Sequence, residues 1–188
     1  MKIIRLLLPL LLLVASSAWA ATAPDFRQVR WGQSLAEVLQ SESSPPGARQ
    51  ENALFYRTDF AGLNCILVYM FDNDRLYQAG YIFDLTHDDL NQFIFDYKTL
   101  FDRLGEEFGK PEEDQVLWLN ETYRNTPRAF GTAVSLGHLV CQASWRTPAT
   151  IIRIRLWGGD RRINLGIGYF SLAYEELSGQ KTKAVSGL

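Results

Sequence analysis

Two stretches of the chain alternate apolar and polar residues around a short polar break, and each reads as a β-hairpin. In the first, Tyr69–Phe83 (YMFDNDRLYQAGYIF), Asn73-Asp74 is a two-residue loop, and both residue types tolerate positive φ. That loop pairs Met70 with Tyr77, Val68 with Ala79 and Ile66 with Tyr81, a face that is apolar throughout. In the second, IIRIRLWGGDRRINLGIGYF from Ile151, Gly159-Asp160 suits a type II′ turn with glycine first. Leu156 then opposes Ile163, Ile154 opposes Leu165 and Ile152 opposes Ile167 on a core face, while Arg153, Arg155, Trp157 and Arg162 share the wet face. At an offset of 160 − 74 = 86 positions the two hairpins align without a gap: Asp74 meets Asp160, Arg75 meets Arg161 and Gly80 meets Gly166.

Helical periodicity takes over elsewhere. WGQSLAEVLQSE opens with a capping box, Ser34 and Glu37, and then places Leu35, Val38 and Leu39 on one face. SSPPGARQEN (43–52) reads as a loop. From Thr86, with Asp89 three residues on, the series Leu90, Phe93, Ile94, Tyr97, Leu100, Phe101, Leu104 and Phe108 keeps helical spacing until Gly109 and Pro111 stop it. ALFYRTDF (53–60), QVLWL (115–119) and HLVCQASW (138–145) are further strands, 120–137 is undecided, and the polar tail from about Glu175 reads as disordered. The expected fold is α+β: an antiparallel sheet with helices packed on one face, in one domain over 24–172. The order suggests a tandem α-β-β-β repeat with halves at about 31–84 and 86–171.

The first twenty residues change the picture. MKIIRLLLPLLLLVASSAWA has a basic start (Lys2, Arg5), an apolar run from Leu6 to Val14 and the small-x-small site Ala18-Trp19-Ala20. This is a secretory signal peptide, expected to be cleaved after Ala20, with Ala23 as second choice. The expected location is periplasmic or secreted, in a bacterium. No later run is long and apolar enough to cross a membrane as a helix. Of 19 basic and 21 acidic residues the signal takes two basic ones, so 17 − 21 = −4 remains. That mild acidity argues against nucleic-acid binding. An even cysteine count in an exported chain raises the expectation of a disulfide between Cys65 and Cys141; two buried thiols in separate strands are the alternative.

Candidate chemistry is sparse. Asp72-Asn73-Asp74 resembles the start of a calcium loop, but Leu76, Tyr77 and Phe83 stand where that loop needs a ligand, a glycine and a glutamate. His87 beside Asp88 and Asp89 reads as a solvated helix start, and His138 shows no partner. Neither a nucleophile elbow nor a phosphate-cradling loop is present, and no metal or cofactor is expected. What stands out is a cluster of cations with a tryptophan: Arg153, Arg155, Trp157 and Arg162 on one hairpin face, Arg161 at its turn and Arg146 upstream. Arginine and tryptophan are frequent interface anchors, so the cluster is a candidate platform for an anionic partner. The competing reading is an ordinary wet sheet face, or one covered by acidic residues of the same chain.

WGQSLAEV (31–38) resembles the Gly-Met-Thr-x-x-x-Val opening of the small outer-membrane lipoproteins of the barrel-assembly machinery, with Gln33 for the methionine and Ser34 for the threonine. LGEEFGKP (104–111) is similar to their helix-ending Leu-Gly-x-Pro. The lipid-bearing cysteine of those proteins is absent. The helix-and-meander order also resembles the two-repeat architecture of the beta-lactamase inhibitor protein. The resemblance implies an exported protein-binding module and carries over no functional residue. The resulting expectation is a non-catalytic protein that binds another envelope protein. The alternative is a carrier of a small apolar or anionic ligand in a cleft between sheet and helix, suggested by Tyr69, Tyr77, Tyr81 and Phe83.

Overall fold

The capping box forms as its spacing requires. Ser34 Oγ accepts from the Glu37 amide at 3.3 Å, and the Glu37 carboxylate accepts from the Ser34 amide at 2.7 Å, opening helix α1 (Leu35–Ser41). The computed structural model describes residues 23–177; the expected signal peptide and the stretch 178–188 of the expected disordered tail lie outside them. Strands β1 (Ala48–Gln50), β2 (Ala53–Phe60), β3 (Leu63–Asp72) and β4 (Arg75–Phe83) follow α1, and helix α2 (Gln92–Phe108) follows them. Then come β5 (Glu113–Trp118), two 3-10 turns, α3 (Phe130–Ser135), β6 (Leu139–Arg146), β7 (Thr150–Gly159) and β8 (Arg162–Ser171). All eight strands form one antiparallel sheet in the order β1-β2-β3-β4-β8-β7-β6-β5. The fold is α+β. The chain up to β4 runs one helix and then four strands, one strand more than its sequence suggests, the short β1 inside the expected loop; after α2, the helix α3 separates β5 from β6, β7 and β8.

Alternate residues of each central strand point to one side. Ile152, Ile154 and Leu156 of β7 and Leu165, Ile167 and Tyr169 of β8 are buried there beneath α2 and α3. Each fully buried aliphatic side chain contributes about 1.5–3 kcal/mol, which makes this one layer of contacts the dominant stabilising term. Trp145 closes the end of the layer, its indole donating to the Gly109 carbonyl at 2.9 Å where α2 stops with φ 78°.

Both hairpins form, with registers different from those expected. Asn73 and Asp74 take φ 48° and 57° in the expected loop. Tyr77, however, is an extra residue in β4: Phe71 opposes Leu76 while Met70 opposes Gln78. This bulge inverts the faces beyond it, so Leu67, Tyr69 and Phe71 point to the core and Ile66, Val68 and Met70 to the other side. In the second hairpin the turn is Asp160-Arg161, with φ 51° and 61°, rather than Gly159-Asp160. Leu156 therefore opposes Leu165, and Ile154 opposes Ile167. Gly158 serves a different purpose: a Cβ there would lie 2.3 Å from the Val134 carbonyl oxygen, so its bareness lets α3 sit against β7.

Three more expectations need correction. Helix α2 starts at Gln92, not Thr86, because Asp89 accepts from the Asn91 amide at 2.9 Å in a turn rather than capping a helix. The chain from Leu172 to Leu177 is helical, so order extends past Glu175. Cys65 and Cys141 are free thiols. Cys65 lies on β3 and Cys141 on β6, with β4, β8 and β7 between them, a separation of about 19 Å at ordinary strand spacing. A disulfide needs Cα atoms within about 7 Å. Burial pushes both thiols up to about 11, helped by Asp59 at Cys65 and Asp114 at Cys141. A raised folded pKa means stability that is present below the unfolded thiol value, near 8.5, and is lost as pH rises toward 11. The native protein should be inert to a thiol reagent at pH 8 and take up two equivalents once unfolded; fast labelling of the folded protein would contradict the burial.

Candidate functional site

Helices α1, α2 and α3 occupy one side of the sheet. On the other, among the described residues, only the short helical segment 172–177 crosses the strands, where Tyr174 stacks on Tyr77 at 4.3 Å and its hydroxyl donates to Asp72 at 3.1 Å. Strand alternation brings Arg153, Arg155 and Trp157 to this uncovered face of β7, and Arg162 joins them from β8.

Two glycines explain how these side chains are held. Gly166 and Gly168 lie on the uncovered face of β8. The Phe170 ring lies over Gly168, where a Cβ would come within 2.6 Å of it, and the Arg153 guanidinium sits 4.8 Å above that ring. Trp157 lies against Gly166, 4.0 Å from the place of its absent Cβ, and Arg155 sits 5.5 Å above the indole. The result is two parallel stacks of bare backbone, aromatic ring and guanidinium. Each cation–π contact contributes about 0.5–1 kcal/mol at such an exposed position. It also fixes a long side chain that would otherwise be ordered only on binding.

The charges are not equally answered. Arg153 reaches Glu175 at 3.4 Å, so a carboxylate of the same chain covers part of this face. Arg146 is bridged to Glu112 at 3.4 Å. Arg155, Arg161 and Arg162 have no carboxylate within ion-pair distance among the described residues. Arg162 and Trp157 border a shallow depression of about 580 Å³ with Asn164. Arg161 stands apart: its amide donates to the Ser135 carbonyl at 3.0 Å, tying the turn to α3. Chemically the strip offers guanidinium edges and an indole face, which suit carboxylates and other planar anions.

A second site lies on the helix side, over the two central strands. A cleft of about 560 Å³ opens between the N-terminal segment and the end of α2. Tyr81 and Tyr169 form its floor, Phe26 packs against both at 5.6 and 4.6 Å, and Phe60 and Phe108 flank it. Arg27 borders the cleft beside Tyr81 and lies 3.4 Å from Glu42. Tyr169 is 6% exposed. Burial, then the charges of Tyr81 and Glu107, push that phenol upward. Of the aromatic residues expected to line a cleft, Tyr69 and Phe83 are core and Tyr77 is on the opposite face; Tyr81 alone lines this one.

His87 is not simply solvated. It lies 2.6 Å from the buried Asp96 of α2 and packs edge-on to Phe93. A spacing of nine positions across a turn hid this pair. His138 stacks on Tyr123. No group of three His, Cys, Asp or Glu suited to a metal exists among the described residues. No protein-family model, curated protein or solved structure matches the chain.

Proposed function

We propose that this is an exported, non-catalytic binding module of the bacterial cell envelope, acting in the periplasm or outside the cell on an acidic surface of another envelope protein. The observation that carries the proposal is the pair of glycine–ring–guanidinium stacks on the uncovered sheet face, with Arg155 and Arg162 unanswered. Pre-ordered guanidinium groups beside an exposed indole are what an acidic partner surface would use. The resemblance at 31–38 and 104–111, which open α1 and close α2, supports the same reading.

Cross-linking in the native envelope, followed by mass spectrometry of what co-purifies, tests it. One abundant partner should be recovered with the wild type and lost with Arg155→Glu/Arg162→Glu, a loss of about 30-fold or more in affinity for two reversed contacts. Arg57→Glu, on β2 at the far side of the same face, should leave recovery intact. Equal recovery with all three proteins would sink the platform. The aromatic cleft supports a second reading, a carrier of a small apolar or anionic ligand, through its walls of Phe26, Tyr81 and Tyr169 with Arg27 at the rim. A discrete added mass in native mass spectra, absent from Tyr169→Ala, is its expected signature.

A further inference from the structure

The two edges of the sheet are treated differently. β1 is three residues long, carries Arg49, follows Pro45-Pro46-Gly47 and is exposed throughout, which blunts it as a template for another strand. β5 at the other edge is six residues long and has no proline or lysine within it. Its neighbourhood holds three of the seven exposed large apolar side chains among the described residues: Val116 at 61%, Leu117 at 39% and Leu119 at 70%. Apolar groups on both faces of a long open edge are a feature that monomeric sheets avoid.

The backbone polarity of this edge can be read from its pairing. Leu119 donates to the His138 carbonyl at 2.7 Å, and the register continues through Leu117 with Val140 and Gln115 with Gln142. Antiparallel alternation then turns the amide and carbonyl of Asp114, Val116 and Trp118 away from β6, toward open solvent. We propose that this edge pairs with the β5 edge of a second copy, antiparallel, with Val116 opposite Val116 on a two-fold axis. The two eight-stranded sheets then become one, with α1, α2 and α3 of both copies on one side.

Three features select a second copy over an unrelated strand. The register that places Val116 on the axis uses all three outward residues as hydrogen-bonded pairs: Asp114 with Trp118, Val116 with Val116, and Trp118 with Asp114. It sets each Asp114 carboxylate, which has no hydrogen bond among the described residues of its own chain, beside the Trp118 indole N–H, which also has none there. It also keeps the acidic ends apart, because Glu113 of one copy faces Leu119 of the other. A parallel pairing would put Glu113 and Asp114 against themselves. The inference does not depend on the proposed function, since it uses neither the arginine strip nor the cleft.

Two engineered cysteines test the register. Directly opposed residues of a hydrogen-bonded pair have Cα atoms about 5.5 Å apart, within disulfide range. Val116→Cys should therefore form a covalent dimer under mild oxidation. The two copies of Leu119→Cys would lie about 20 Å apart, six residues of strand, and should not. The buried Cys65 and Cys141 do not interfere. Sedimentation of the wild type should give twice the chain mass, and Val116→Lys should give a folded monomer, because that side chain is already exposed. A wild-type monomer at about 100 µM would overturn the proposal. So would cross-linking through Leu119→Cys rather than Val116→Cys, or a dimer that survives Val116→Lys. Pairing only with a strand of another protein would overturn it as well.

Discussion

Replacing Gly131 with alanine is expected to destabilise the protein by about 3 kcal/mol or more, lowering Tm by roughly 6–12 °C. A Cβ at Gly131 would lie 2.2 Å from the Leu90 carbonyl carbon and oxygen and 2.6 Å from the Asn91 nitrogen. These are backbone atoms at the start of α2, so no rotamer change relieves the clash. The Gly131 amide also donates to the Asn91 side chain at 2.7 Å, and Asn91 in turn donates to the Pro127 carbonyl at 3.3 Å. Moving α3 away breaks both bonds and uncovers Ala133 and Val134, which are fully buried against β7. Gly105→Ala is the matched control. It sits inside α2 with open space around its missing Cβ, and alanine there should add up to about 1 kcal/mol. Urea titrations of both variants decide the matter; a loss below about 1 kcal/mol at Gly131 would show that α3 is not seated as described.

Glu42→Ala should cost about 3 kcal/mol, more than any other single loss of a polar group in the described part of the molecule. Its carboxylate, at the end of α1, accepts from the hydroxyl of the fully buried Tyr69 and lies 3.4 Å from Arg27. Removing it leaves a phenol donor and a guanidinium facing one another with no acceptor between them. Glu42→Gln keeps an acceptor and should cost about 1 kcal/mol. In a Tyr69→Phe background Glu42→Ala should cost at least about 1 kcal/mol less, the signature of a shared bond; strict additivity would remove the coupling. The same pair has an alkaline signature. Burial first, and then the Glu42 carboxylate, push the Tyr69 phenol upward. Its contribution is therefore complete below the unfolded tyrosine value, near 10, and declines above it. The buried thiols add a decline between about 8.5 and 11, so the difference between wild type and Tyr69→Phe isolates the phenol.

How far the sequence announces this structure varies with the physics of each element. A capping box is local, and Ser34 with Glu37 could be read directly; so could Gly109 as the stop of α2. β3 could be located but not oriented, because LNCILVYMFD is apolar on both faces and alternation then carries no sign. The bulge at Tyr77 that sets the sign leaves no mark in composition. In the second hairpin the glycines drew the turn one residue too early, because Gly158 is required for contact with α3 rather than for turning. The arginine strip was legible since alternation in β7 is strict. Its stacking was not, because it depends on Gly166 and Gly168 of a neighbouring strand. The cleft gathers Phe26, Phe60, Tyr81, Phe108 and Tyr169 from five separate elements, and only the strand order brings them together. The two thiols show the same limit from the other side: their even count suggested a bridge, and only the order of strands shows that they lie too far apart for one.

That order also says when the molecule is assembled. Six of the seven strand pairings join strands adjacent in sequence, and β4 with β8 is the exception. Tyr81 meets Ile167 across 167 − 81 = 86 positions, a closure whose chain-entropy cost is about 4 kcal/mol. The two meanders can each form from connections of at most about twenty residues, the longest being 119–138 between β5 and β6, whereas this seam becomes favourable only when both are in place to meet it. The time to fold is then set by one encounter in the middle of the sheet. Substitutions at Tyr81, Ile167 or the bare Gly80 that meets Gly168 would act on how fast the halves find each other as well as on how firmly they hold.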